Sequence, residues 1–179
     1  DLRTGSFSGG GGEEALLGAA SAQITNYYGL ISSVGAGMTD SKLPDAQSGF
    51  EKGISVAMAA LAGCNGISES SGMLASLMGC SYESLVIDNE MLGVIMRTVK
   101  GIEVSDETLS LEVIKEAVFG DGHFLRSGQT LEKMKSEYFY PEILDRKSQL
   151  EWREDGSLDI RKRAEIKEKQ ILENHSPLY

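Results

Sequence analysis

The sequence predicts an α/β fold built on a short parallel sheet, and three observations carry that expectation. Short apolar, β-branched runs alternate with longer amphipathic ones. The 21 glycines punctuate the ends of those runs instead of forming a repeat. Polar residues cluster just past the apolar runs, where a parallel sheet places its ligand site.

Each element follows from local chemistry. Glu13 and Glu14 open a helix over about 13–28, where acids suit the positive end of the helix dipole, and Gly29 ends it. "LISSVGAG" at 30–37 is apolar and β-branched, a buried strand. Pro44 fits the first turn of the next helix, with Asp45 adding charge at its N-terminus. That helix runs through the Ala- and Gly-rich "DAQSGFEKGISVAMAALAG". "CNGISESS" at 64–71 reads as a second strand ending in polar residues. Leu85, Val86, Met91, Leu92, Ile95, Met96 and Val99 give 81–101 a helical period. "SDETLSLEVIKEAVFG" at 105–120 opens with a cap signal and closes on glycine. "GHFL" at 122–125 reads as a further short strand, and Thr130 as the cap of "LEKMKSEYF". From Ser148 the chain is dense in charge, with a last helix at about 158–174.

Composition bounds the function. The chain has 179 residues, 41% hydrophobic and 25% charged, which suits a soluble domain with a real core. Residues 1–100 hold five Lys/Arg against ten Asp/Glu, and the rest hold twelve against seventeen, so neither half is basic. Binding to nucleic acid through phosphate neutralisation is therefore not expected. Cys64 and Cys80 lack CxxC spacing and clustered histidines, and read as buried free thiols. With no 18-residue apolar run and no leader-like segment, the expectation is a cytoplasmic protein without membrane contact. Three short strands do not close a sheet, and a whole (β/α)8 barrel takes roughly 250 residues. The open edge is expected to be covered by a missing N-terminal half or by a homo-oligomer.

Four stretches, "DLRTGSFSGGGGEEALL", "GMTDSKLPDAQSGFEKG", "SYESLVIDNEMLG" and "GHFLRSGQTLEKM…YFYPEILDRKSQLEW", together resemble the C-terminal part of the trimethylamine methyltransferase superfamily. The resemblance implies the C-terminal part of a (β/α)8 TIM barrel over residues 1–147, followed by a charged helical tail over 148–179. It implies transfer of a methyl group from a methylated amine, either trimethylamine or a quaternary amine such as glycine betaine. The acceptor is the Co(I) of a corrinoid carried by a separate protein, in methylamine metabolism and methanogenesis. A non-catalytic partial barrel that binds a partner through its open edge is the alternative. The resemblance assigns no catalytic residue, and none to Lys42.

Five residues are candidates for the substrate site. Asp40 follows the first strand, where its anion could stabilise a trialkylammonium group; the other reading is a plain turn residue. Phe7 and Phe50 occupy loop-like contexts and could offer aromatic faces to the cation, each contact worth about 0.5–2 kcal/mol. Glu69 follows the second strand, either as a site carboxylate or in a salt bridge. His123, at the expected third strand, could donate to a substrate carboxylate or gate the corrinoid, or cap its own loop. Asp45 reads as a helix-start charge, Tyr27 and Tyr28 as packing residues and His175 as a solvated tail residue. "GGGG" at 9–12 matches no nucleotide motif. It would let a bulky partner such as a corrinoid ring approach the backbone.

Overall fold

The computed structural model describes residues 1–177 and 179. In chain order the elements are α1 (Gly12–Tyr27), β1 (Ser33–Gly35), α2 (Ala46–Leu61), β2 (Gly66–Ser68), β3 (Met73–Leu74), β4 (Gly79–Cys80), α3 (Tyr82–Lys100), α4 (Leu111–Phe119), α5 (Gly128–Ser136), α6 (Gln149–Glu154) and α7 (Ile160–Glu173). They divide into two compact units, one of Asp1–Ile95 with Pro141–Tyr179 and one of Met96–Tyr140.

In the first unit the two expected strands form and pair in parallel, with Val34 opposite Ile67 and Gly35 opposite Ser68. Asn65 fixes where the pairing begins, since its side-chain oxygen accepts from the Ser32 N–H at 3.0 Å. The core under the strands joins Ala36, Val56, Ala59 and Ile95, with Val34, Ile67, Met91 and Leu92 packed against it. Alanine on the inner face of α2 lets the helix backbone lie close to the strands, as its composition suggested. Each fully buried Val or Ile contributes about 1.5–3 kcal/mol, so this small cluster is the main apolar stabilisation of the sheet. The C-terminal helices join the same unit through backbone contacts. Glu90 accepts from the Glu142 N–H at 3.1 Å, and the Arg163 guanidinium donates to the Ile143 carbonyl at 2.6 Å.

The remaining differences from the sequence reading have local causes. Pro44 lies outside α2, because Asp45 is its N-cap and accepts from the Ser48 N–H at 3.0 Å. That bond, more than any other contact, holds the Asp45 carboxyl below the usual carboxylate range. The cap-like stretch from Ser105 folds as a turn closed by Ser105 and Thr108, so α4 starts only at Leu111. Thr130 lies inside α5, which starts after Ser127. "GHFL" forms turns, and the β3–β4 hairpin appears where no strand was expected. Cys80 is exposed rather than buried, while Cys64 is half-buried and donates to the Gly66 carbonyl. Leu85, Met96 and Val99, among the residues that give α3 its helical period, are exposed, and Ser84 and Asp88 are buried. Among the described residues no helix is long and apolar enough to cross a membrane.

The second unit holds α4 and α5. Glu107 pairs with Lys133 at 2.7 Å, and Glu137 pairs with Arg97 at 3.0 Å and Lys100 at 2.9 Å. A cavity of about 400 Å³ lies among Arg97, Phe124 and Lys133, but both of these cations already face carboxylates.

Candidate functional site

The site forms where β1 and β2 end. β1 leaves the sheet through Gly37, whose φ of +90° and whose crowding both require glycine: a Cβ there would lie 2.7 Å from Ser70 Cα. The Gly37 N–H donates to Ser55 Oγ at 2.9 Å, which ties the exit to α2. Met38, Thr39 and Asp40 come next, and Thr39 is fully buried.

α2 supplies the floor. Its buried residues are Ser48, Glu51, Lys52, Ser55, Val56 and Ala59, the i, i+3, i+4, i+7 spacing of one helix face. The half of this stripe near Asp45 is polar and the far half apolar. Glu51 reaches back to the turn after β1, where its carboxylate accepts from Thr39 Oγ1 at 2.5 Å, the Asp40 N–H at 2.9 Å and Gln47 Nε2 at 2.8 Å. Lys52 is wholly buried and donates to Asp88 at 2.6 Å and Ser84 Oγ at 2.8 Å.

Asp40 collects donors from two segments. It accepts from the Gly9 N–H at 3.0 Å, from Ser76 Oγ at 2.5 Å and from Ser8 Oγ. Burial pushes its carboxyl up, but the Ser76 and Ser8 hydroxyls and the Gly9 and Gly10 N–H groups outweigh that and hold it below the usual range. Asp40 is thus an anion at neutral pH. Glu69, at the end of β2, lies against Gly35: a Cβ on that glycine would meet its Oε2 at 2.9 Å. Close by, Lys42 Nζ donates to the Asp40 carbonyl at 2.7 Å.

The structure brings Phe7, Asp40 and Glu69 to this strand end through Met38. A Cβ on Gly9 would lie 3.0 Å from Met38 Sδ and 3.2 Å from the Phe7 ring, and one on Gly35 would lie 3.6 Å from Met38 Cε. Phe50 is in α2 rather than in a loop and points its ring to solvent, one residue from Glu51. His123 lies in the second unit, exposed in the turn between α4 and α5 beside the Arg126–Asp121 pair. Tyr27 and Tyr28 pack edge to face at 5.3 Å where α1 ends, and Asn26 beside them bonds the carbonyls that close α2. Both rings are exposed, so they do not pack between helix and sheet as the sequence suggested. Gly9 and Gly10 are buried against the chain's own Met38, Glu51 and Asp40, so close approach is made here by this chain itself.

Glu51, Ser76 and the Lys52–Asp88 pair were missed in the sequence. A signal existed for the α2 residues: a helix stripe that starts with Ser48, Glu51, Lys52 and Ser55 before turning apolar marks a polar site rather than plain core. Ser76 had none, being the middle of a left-handed run, Ala75, Ser76 and Leu77, with φ of 50°, 54° and 72°. Such conformations cost non-glycine residues about 1–2 kcal/mol each. They persist here because the Ala75 N–H donates to the Ser41 carbonyl at 2.7 Å and the Ser76 N–H to the Thr39 carbonyl at 2.8 Å.

Asp40, Glu51 and Glu69 lie around the end of β1 together with a polarisable thioether and one aromatic ring. A tetraalkylated ammonium has no N–H to direct at a carboxylate lone pair, so the filled acceptors of Asp40 would not weaken its pull. Among the described residues no three His, Cys, Asp or Glu side chains group to hold a metal ion.

The family described as "Trimethylamine methyltransferase (MTTB)" matches residues 1–178. The chain is 36% identical over 177 residues to a glycine betaine methyltransferase of Desulfitobacterium hafniense, covering 99% of this chain and 36% of that protein. It is 38% identical over 178 residues to the trimethylamine methyltransferase MttB of Methanosarcina thermophila, covering 98% and 36%. Against MttB2 of Methanosarcina mazei the identity is 39% over 176 residues, covering 98% and 35%. The chain thus spans about a third of the length of these relatives.

Proposed function

Since the chain belongs to the trimethylamine methyltransferase family, we propose that it forms part of an enzyme that moves a methyl group from a methylated amine to a corrinoid protein. The substrate is trimethylamine or a quaternary amine such as glycine betaine. In this reading β1 and β2 are neighbouring strands of a (β/α)8 barrel. Residues 1–147 are the methyltransferase part and residues 148–179 a charged extension, and the protein works in the cytoplasm. A homo-oligomer or further chain covers the open edge.

The observation that carries the reading is the anionic Asp40, with Glu51 and Glu69, at the C-terminal end of two parallel strands, where barrel enzymes keep their sites. When docked, the partner's corrinoid supplies the Co(I) nucleophile. The fit to a partner-held ring rests on exposure: Phe7 and Glu69 are open to solvent, and so are Leu77 and Met78 at the hairpin tip next to Ser76. This chain's residues then bind and orient the ammonium. Asp40 and Glu69 draw it in, Met38 and Phe7 contact its methyl groups, and Phe50 lines the approach. As the C–N bond breaks, its electron pair stays on nitrogen, and a quaternary substrate leaves as a neutral amine with no proton required.

The substrate's positive charge fades along this path, so the carboxylates favour the bound ground state over the transition state. Asp40→Asn is therefore expected to raise KM for the ammonium roughly tenfold, about 1.4 kcal/mol, with kcat unchanged or raised. Steady-state methyl transfer by the complete protein with its corrinoid partner measures this. An unchanged KM would remove Asp40 from the site.

A second reading, a non-catalytic module, is favoured by the exposed Leu16, Leu17 and Ile24 of α1. It requires the 179-residue chain to be a stable monomer in sedimentation, with these side chains left free for a partner.

A further inference from the structure

Lys52 and Asp88 are charged, buried and unused by the chemistry above. Their side chains are 0% and 4% exposed, and they join α2 to α3. Asp88 does more than neutralise the lysine. The same oxygen accepts the Gly72 N–H at 2.7 Å and Ser84 Oγ at 3.3 Å. Gly72 enters the β3–β4 hairpin with φ of +78°, and four residues later Ser76 places its hydroxyl on Asp40. Ser76 itself sits in the left-handed stretch 75–77, which local preference does not hold. The hairpin is held at its base by Asp88 and at its tip by the Thr39 and Ser41 carbonyls.

Resting on the cation-site reading, we propose that Asp88 is a positioning residue: through the Gly72 N–H it sets the β3–β4 hairpin so that the Ser76 hydroxyl reaches Asp40. Lys52 makes Asp88's carboxylate tolerable in the core, and Ser84 orients it. The arrangement links helix-packing residues to the substrate anion over residues 52, 88, 72, 76 and 40. Asp88 itself touches no substrate.

Two variants of the complete protein separate positioning from plain stability. Lys52→Met with Asp88→Asn removes both charges but keeps an oxygen for Gly72. Lys52→Met with Asp88→Leu removes both charges and the acceptor. Two readouts are compared: hydrogen exchange at the Ala75 and Ser76 amides, and the KM–kcat split for tetramethylammonium or glycine betaine. The Asn pair is expected to keep wild-type amide protection and a KM within about twofold. The Leu pair, unfolding at a similar urea concentration, is expected to exchange those amides at least tenfold faster and to raise KM about tenfold while sparing kcat. Equal protection and equal KM in the two pairs would overturn the proposal. Ser76→Ala, in a half-buried loop that the core does not need, tests the last link even where the Leu pair does not fold: KM should rise, and an unchanged KM would also overturn it. Where the wild type transfers no methyl group at all, the functional reading fails by itself, and the exchange comparison still decides what Asp88 does.

Discussion

Lys52→Met alone is expected to destabilise the first unit by about 3–5 kcal/mol, because it strips the partner from a buried carboxylate. Methionine fills the lysine's volume, so a cavity contributes little and the loss is electrostatic. The groups left around Asp88 are the Gly72 N–H and the Ser84 hydroxyl, which solvate a buried anion poorly. Burial already pushes the Asp88 carboxyl above its usual range. The variant answers by holding a proton on it. A carboxyl whose folded pKa is raised contributes stability that is present below its unfolded value of about 4 and is lost as pH rises through the folded value. Urea unfolding of the variant should therefore show a smaller deficit near pH 5 than near pH 8. A deficit independent of pH, or one below about 1 kcal/mol, would mean that Asp88 finds another cation or water.

Gly10→Ala is expected to cost about 1–3 kcal/mol and to disturb the site directly. Its Cβ would lie 2.3 Å from Glu51 Oε2 and 2.7 Å from the Asp40 N–H nitrogen, and the backbone nitrogen cannot move away as a side-chain tip can. Glu51 would swing off Asp40, leaving a backbone N–H unpaired. Lower thermal stability should therefore accompany a raised KM for the ammonium. Gly12→Ala, two residues on, is the control. It opens α1 in free space, and alanine there should leave the melting temperature unchanged or slightly higher. Were the two substitutions alike, the glycine run would be a flexible linker rather than a fitted surface.

Local chemistry along the chain was enough to specify the main helices and the parallel pair. The positions of 30–37 and 64–69 were legible because a β-branched apolar run bounded by glycine has few alternatives. Asp40 was legible as a strand-end residue because chain direction alone puts the residues after a parallel strand at its C-terminal end. The capping box of Ser148 and Glu151 was equally written in the sequence, as a serine three residues before a glutamate, and went unread in a charge-dense tail. Family membership was carried by motifs spread over the whole chain.

Which polar groups meet was settled only by the folded chain. Asp40 is bonded by residues 8, 9 and 76, Glu51 by residues 39, 40 and 47, and Asp88 by residues 52, 72 and 84. Apolar burial is non-directional and leaves a period that can be counted along the chain. A hydrogen bond between residues 36 apart, such as Ser76 to Asp40, leaves none, because any of several serines or carboxylates would satisfy the same local pattern. Ser84 and Asp88 broke the apolar reading of α3, since a helix face can be buried by ion pairing as well as by hydrophobicity once a lysine arrives from another helix. The left-handed turn at Ser76 was invisible for a related reason. Its residues prefer other conformations, and long-range bonds to Thr39 and Ser41 overrule that preference.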